Sequence, residues 1–175
     1  MRELISAAQL AKRIGEMGKE ISRDYKGREP IFVGVLNGSF IFMADLLREV
    51  TIDCEVDFIK LSSYEGNASS GTIHLRKDIS SDVAGRNVII VEDIVDSGLT
   101  INFLKSRIED SMPSSVAVVS LLFKREVAKL NFDLDYVGFE IPADYVVGYG
   151  LDMDQKKRNL KGIFSIEDEL EKNCN

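Results

Sequence analysis

The chain has little of several things, and each shortage closes off a class of protein. No apolar run approaches the roughly 20 residues needed to cross a bilayer. No basic amino-terminal stretch leads into a short apolar core of the kind that targets a chain for secretion. A cytoplasmic protein without a membrane partner is therefore expected. Cysteine occurs only as Cys54 and Cys174. They lie far apart and lack metal-ligand spacing, so a reduced pair is expected. Positive charge is also short: 22 Lys and Arg stand against 29 Asp and Glu, a formal net charge of −7. Non-specific nucleic-acid binding depends on the opposite balance, so no nucleic-acid partner is expected. An acidic chain still takes a polyanion when a cation mediates the contact. Repeats, low-complexity tracts and linkers are absent, and 175 residues suffice for a sizeable core, so one domain over residues 1–175 is predicted. The one histidine, His74, reads as a loop or ribbon residue and is given no role.

What is present is dominated by Val88-Ile89-Ile90-Val91-Glu92-Asp93-Ile94-Val95-Asp96-Ser97-Gly98-Leu99-Thr100. The β-branched run at 88–91 reads as a buried parallel strand. It places Glu92 and Asp93 at the strand's carboxyl end, where open α/β sheets bind ligands. Asp96 to Thr100 reads as a tight loop feeding a helix, whose free N–H groups hold a phosphate. Gly98 lets the backbone take φ > 0 and approach an anion closely, and Ser97 and Thr100 add hydroxyl donors. Carboxylates beside a phosphate repel it, so Glu92 and Asp93 suit a sugar diol or a divalent cation instead. The ligand predicted is a sugar phosphate with Mg²⁺. The alternative is an ordinary strand-turn-helix with solvated acids.

Elsewhere, Ser6-Ala7-Ala8-Gln9 has the form of a capping box. Leu10, Ile14, Met17 and Ile21 follow at helical spacing, predicting an amphipathic helix over 7–24. Residues 31–36 read as a strand, punctuated by Asn37-Gly38-Ser39 with Ser39 as a candidate cap, and a helix follows over 40–50. A strand over 54–61, a polar loop over 62–71 and a ribbon strand over 72–76 come next. A helix then carries Ile101, Leu104 and Ile108, and further strands fall at 116–123, 136–139 and 145–147. Strands alternating with helices predict an α/β protein: a parallel sheet of about five strands flanked by helices, with a small hood built from both termini.

The stretch over 88–100 resembles the phosphoribosyl-pyrophosphate-binding signature of type I phosphoribosyltransferases. Its Glu-Asp-Ile-Val-Asp-Ser-Gly form is most similar to the hypoxanthine-guanine branch. The resemblance covers roughly residues 30–165 and implies further roles. Leu36, Asn37 and Gly38 would bind pyrophosphate through backbone N–H groups, often across a cis peptide between Leu36 and Asn37. Many relatives carry Lys where Asn37 stands, which removes a charge but not the backbone role. Ser63 and Tyr64 match a lid over the reaction centre; without the resemblance they read only as polar loop. The segment from Gly138 to Asp152 reads blindly as two short strands around a proline turn. By resemblance it is the purine-binding segment, with Tyr145 stacked on the base, the Val146 backbone reading its edge and Asp152 near the purine 2-position. Asp152 would also help hold a second Mg²⁺, and Arg158 would bind pyrophosphate oxygens. Lys124 and Arg125 close an apolar strand. They read either as a solvated helix start or as a purine site, with Lys124 donating to a 6-oxo group; lysine has donors only and so favours oxo over amino.

These implications predict a purine salvage transferase that joins hypoxanthine or guanine to phosphoribosyl pyrophosphate, giving IMP or GMP and pyrophosphate. Asp96 would exchange the N7 proton. Glu92, Asp93 and Asp152 would hold metal. A homodimer or homotetramer is expected. The alternatives are a xanthine-preferring transferase on the same fold, and a nucleotide-sensing RNA-binding regulator, which would need a basic face.

Overall fold

The first helix begins where its sequence says it should. In a computed structural model that describes residues 1–63 and 73–166, the Ser6 hydroxyl accepts the Gln9 N–H, and the Gln9 side chain accepts the Ser6 N–H at 2.9 Å. The elements are β1 (Arg2–Ile5), α1 (Ala7–Asp24), β2 (Ile31–Leu36), α2 (Phe40–Glu49), β3 (Glu55–Ser63), β4 (Ile73–Lys77), β5 (Asn87–Val95), α3 (Leu99–Glu109), β6 (Ser115–Phe123), β7 (Tyr136–Glu140), β8 (Val146–Val147) and β9 (Ile163–Ser165). The expected polar loop after β3, apart from Ser62 and Ser63, lies outside the described residues, as does Thr72. Among the described residues no helix is long and apolar enough to cross a membrane. Cys54 has no disulfide partner among them, and Cys174 falls outside them.

The main sheet runs β4-β3-β2-β5-β6-β7. Every pair from β3 to β7 is parallel, and β4 adds antiparallel to β3 at one edge. The five parallel strands expected are thus present. Period-2 alternation divides β2 between two cores. Phe32 packs with Leu10, Ile14, Met17 and Ile21 of α1 and with Phe42 and Leu46 of α2. Ile31, Val33 and Val35 pack with Ile101, Leu104 and Ile108 of α3. Each such buried side chain contributes about 1.5–3 kcal/mol, which is why both faces read as apolar.

The hood is a second, three-stranded sheet, β1-β9-β8, paired antiparallel. It draws on both ends of the chain as expected, but β1 and β9 are too short to show a period and were not legible as strands. The strand over 145–147 reduces to Val146–Val147, leaving Tyr145 exposed.

One correction bears on the site. β5 does not stop at Val91. It continues through the acidic pair, with Glu92 opposite Ser120 and Val95 opposite Phe123 on β6. Backbone pairing with β6 overrides the break that two carboxylates suggest in sequence. A second correction concerns Ser39. It stands at the start of α2, but its hydroxyl donates back to the Val35 carbonyl at 2.7 Å rather than capping the helix.

Asp57 ties the far side of the sheet together. Its carboxylate accepts the N–H groups of Phe58, Ser80 and Ser81 at 2.6–2.8 Å and the Lys77 ammonium at 3.2 Å. Burial alone would raise this carboxyl; the three N–H donors and Lys77 outweigh it and hold it well below the usual range. A depressed folded pKa stabilises the fold above the ordinary carboxylate pKa, about 4, and that contribution fades as pH falls below it. Asp57→Ala should therefore cost about 3 kcal/mol at neutral pH, and its stability should fall less steeply than the parent's on acidification below about pH 4. Urea unfolding at neutral and acid pH checks both.

Candidate active site

The carboxyl ends of β2 and β5 and the start of α3 face one another. Between them lies a cavity of about 230 Å³ lined by Val35, Leu36, Gly38, Leu61, Ile73, Glu92, Asp93 and Thr100. A smaller hollow of about 90 Å³, lined by Glu92, Asp96, Ser97, Gly98 and Thr100 among others, adjoins it. Most residues singled out from the 88–100 stretch thus meet here.

The loop before α3 has the form its sequence predicts. Gly98, the N-cap of α3, stands at φ +86° and has no side chain to cap the helix; Ser97 Oγ makes one long contact there, accepting the Leu99 N–H at 3.4 Å. A Cβ there would lie 2.8 Å from Leu130 and 2.9 Å from the Lys129 carbonyl, so the position requires glycine twice over. The neighbouring segment braces the loop: the Lys129 N–H donates to Ser97, and the Asn102 amide donates to Lys129. The result is a helix start without an N-cap side chain, suited to a phosphate.

The peptide between Leu36 and Asn37 is cis, as the resemblance implied. Gly38 then sits against the Asp93 carboxylate so closely that a Cβ would overlap it. On its other side, Gly150 rests on the Gly38 carbonyl with equally little room for a side chain. The loop is therefore held between β5 and the hood by backbone contact. Sequence reading assigned Gly38 a backbone role but missed Gly150, for which the only signal was the pair of glycines flanking Tyr149.

Glu92 and Asp93 are both buried, at 8% and 7% exposure. Burial pushes both carboxyls up, and the neighbouring Asp93 charge drives Glu92 further. Hydrogen bonds from Glu92 and the Ile94 N–H, and the Arg158 charge, partly offset the rise at Asp93. Glu92 Oε2 is buried and has no hydrogen-bond partner. A buried, self-repelling oxygen pair with an unmet acceptor fits a divalent cation or a ribose diol. Among the described residues no three carboxylate, His or Cys groups gather into a fuller metal cage. Asp152, the third expected metal ligand, is instead paired with Arg158 at 2.7 Å. Its other oxygen accepts the Gln155 N–H at 2.8 Å.

Arg158 is also anchored to the Gly150 carbonyl at 2.8 Å and to the Gln155 side chain at 2.9 Å. The guanidinium is thereby oriented through its contacts with the hood. Tyr145, expected to stack on a base, is exposed and donates its hydroxyl to the Asp152 carbonyl at 3.0 Å. Val146 is buried in β8. Ser63 ends β3, of its side chain nothing is described, and Tyr64 lies outside the described residues.

The two cations at the end of β6 part company. Arg125 pairs with Glu140 on β7 and stacks over Phe123. Lys124 is buried at 6% exposure and its ammonium donates to Asp96 Oδ2 at 2.8 Å. Sequence reading gave these two residues separate tasks and did not pair them. The register explains the meeting. Val95 and Phe123 are partners on adjacent parallel strands, so Asp96 and Lys124 are the next residues out of the sheet.

The phosphoribosyl transferase domain family model matches residues 2–155. The bifunctional protein TilS/HprT of Listeria monocytogenes is 43% identical over 95% of the chain, which spans 26% of that protein's length. The hypoxanthine-guanine phosphoribosyltransferase of Mycobacterium bovis is 39% identical, over 94% of this chain and 85% of its own. The crystal structure of a hypoxanthine-guanine phosphoribosyltransferase from Bacillus anthracis superposes with a TM-score of 0.91 at 43% identity, covering 95% of this chain and 99% of that one.

Proposed function

Because the chain belongs to the phosphoribosyltransferase family, we propose that it transfers the phosphoribosyl group of phosphoribosyl pyrophosphate to hypoxanthine or guanine. The observation that carries this reading is the Lys124–Asp96 pair, 2.8 Å apart. A 6-oxopurine presents an acceptor, O6, beside N7, which carries a proton in one tautomer of the free base. An ammonium and a carboxylate side by side are complementary to that edge. An amino group at position 6 would set donor against donor. The match to relatives of this name supports the same reading.

In this mechanism the start of α3, with Ser97, Leu99 and Thr100, binds the 5′-phosphate. The backbone of Leu36, Asn37 and Gly38 and the guanidinium of Arg158 bind pyrophosphate. Glu92 and Asp93 hold the ribose hydroxyls, and with Asp152 they are the residues that would hold Mg²⁺. Bound there, Mg²⁺ would neutralise charge on the departing pyrophosphate. Tyr145 covers the base and the Val146 backbone reads its edge. Base N9 forms the bond to ribose C1′ as the C1′–oxygen bond to pyrophosphate breaks. Asp96 takes the N7 proton, and Lys124 holds O6. Ser63 and Tyr64 belong to the lid that keeps water from the ribosyl centre. The chain acts in the cytoplasm, as a single domain over residues 1–175, in a homodimer or homotetramer.

The test is direct. The protein is incubated with Mg²⁺ and phosphoribosyl pyrophosphate, and with hypoxanthine, guanine, xanthine or adenine in turn. Nucleotide should form with hypoxanthine or guanine and not with adenine. Turnover with xanthine alone would move the assignment to a xanthine-preferring transferase. No turnover with any base would overturn the reading.

A further inference from the structure

Three consecutive hood residues, Gly148, Tyr149 and Gly150, stand at φ of +100°, +51° and +103°. Glycine takes such values freely, whereas a tyrosine does so only when its surroundings over-determine it. The structure displays what holds Tyr149. Its side chain is 7% exposed, and its N–H donates to the Leu160 carbonyl at 2.9 Å. Its hydroxyl crosses from the hood to α2 and donates to Asp45 Oδ2. Burial, and then the hydrogen bond to Asp45 and its charge, push the phenol far above its ordinary range, so the hydroxyl stays a donor. Asp45 spends its other oxygen on Arg48 at 2.8 Å.

The placement of this link gives it a use. α2 begins directly after the Leu36–Ser39 loop. Gly150, next to Tyr149, rests on the Gly38 carbonyl and accepts a hydrogen bond from Arg158. Beside the apolar core that the hood shares with α2, the hood touches the loop through a bare backbone contact and the helix through the Tyr149–Asp45 hydrogen bond. The two walls of the anion slot, loop amides and guanidinium, have no other described polar tie of this kind between them.

We propose that Tyr149 is a positioning residue whose hydroxyl strut to Asp45 sets the distance between Arg158 and the Leu36–Ser39 backbone, and so the width of the slot for pyrophosphate. This rests on the phosphoribosyltransferase reading. Tyr149 acts through Gly150 and Arg158.

Tyr149→Phe removes the hydroxyl and keeps the ring. It should raise the KM for phosphoribosyl pyrophosphate by about ten- to a hundredfold, the cost of misplacing a binding group by a fraction of an ångström to one. The KM for hypoxanthine should not move. Asp45→Leu should reproduce the effect, Asp45→Asn should recover most of it because an amide oxygen still accepts, and the Tyr149→Phe/Asp45→Leu pair should be no worse than either single change. An unchanged KM for phosphoribosyl pyrophosphate overturns the proposal. So does an equal rise in both KM values, or Asp45→Asn behaving like Asp45→Leu, since these mark a merely structural role. If the parent protein makes no nucleotide, the family activity fails instead. Calorimetric binding of pyrophosphate with Mg²⁺ then decides the strut, which stands if Tyr149→Phe binds at least about tenfold more weakly and falls if the affinities match.

Discussion

Asp96→Asn is expected to fold like the parent chain and to lose turnover by about 10²- to 10⁴-fold. The side chain is half exposed, so the fold has little stake in its charge. Asparagine keeps the shape and an oxygen that can still accept from Lys124. What it lacks is the capacity to take a proton. The loss should therefore fall on kcat while the KM for base changes little, the pattern of an interaction needed in the transition state. Thermal unfolding should shift only slightly. Turnover equal to the parent's would remove Asp96 from the proton-transfer step and leave the 6-oxo side of the purine to Lys124 alone.

Gly38→Ala is the second large effect, and its origin is steric. The added methyl would occupy the space of the Asp93 carboxylate, which is itself buried. Neither neighbour can yield cheaply. Asp93 belongs to a central strand, and on the far side Gly150 presses on the same loop. Overpacking of this kind costs about 1–3 kcal/mol of stability. The larger consequence is displacement of the loop amides and the carboxylate together. The KM for phosphoribosyl pyrophosphate should rise by about 10²-fold, far more than that for the base. Steady-state kinetics beside thermal unfolding would separate the two effects. Parent-like kinetics would mean that the loop does not bind pyrophosphate through its backbone.

Local chemistry made much of this fold legible. The Ser6–Gln9 box and the spacing of Leu10, Ile14, Met17 and Ile21 fix α1 from both its start and its face. Gly98 announces its left-handed turn because few other residues could serve there. The acidic pair misled for the opposite reason. In sequence, Glu92 and Asp93 look like a strand's end, yet β6 supplies pairing partners that no local pattern can display. The same holds for Lys124 and Asp96, whose meeting depends on strand register. β1 and β9 escaped because three or four residues carry no period, and their strand character comes from each other. Nothing in the segment from Gly138 to Asp152 marks Tyr149 as a residue that ties two elements together. Its hydroxyl partner on α2 is 104 positions away in sequence.

The buried acidic pair has a consequence for how this protein can change. Burying two adjacent carboxyls, with one Glu92 oxygen left without a partner, costs the empty fold stability that an apolar pair in their place would not. The site is thus a standing load on the stability of the empty fold, one that a cationic or hydroxylic ligand of the proposed kind would relieve. Substitutions that harden the unliganded protein are to be found at these positions, and they are the ones selection for activity would remove. The room left for drift lies elsewhere, and its size is set by how far the rest of the sheet exceeds the stability threshold.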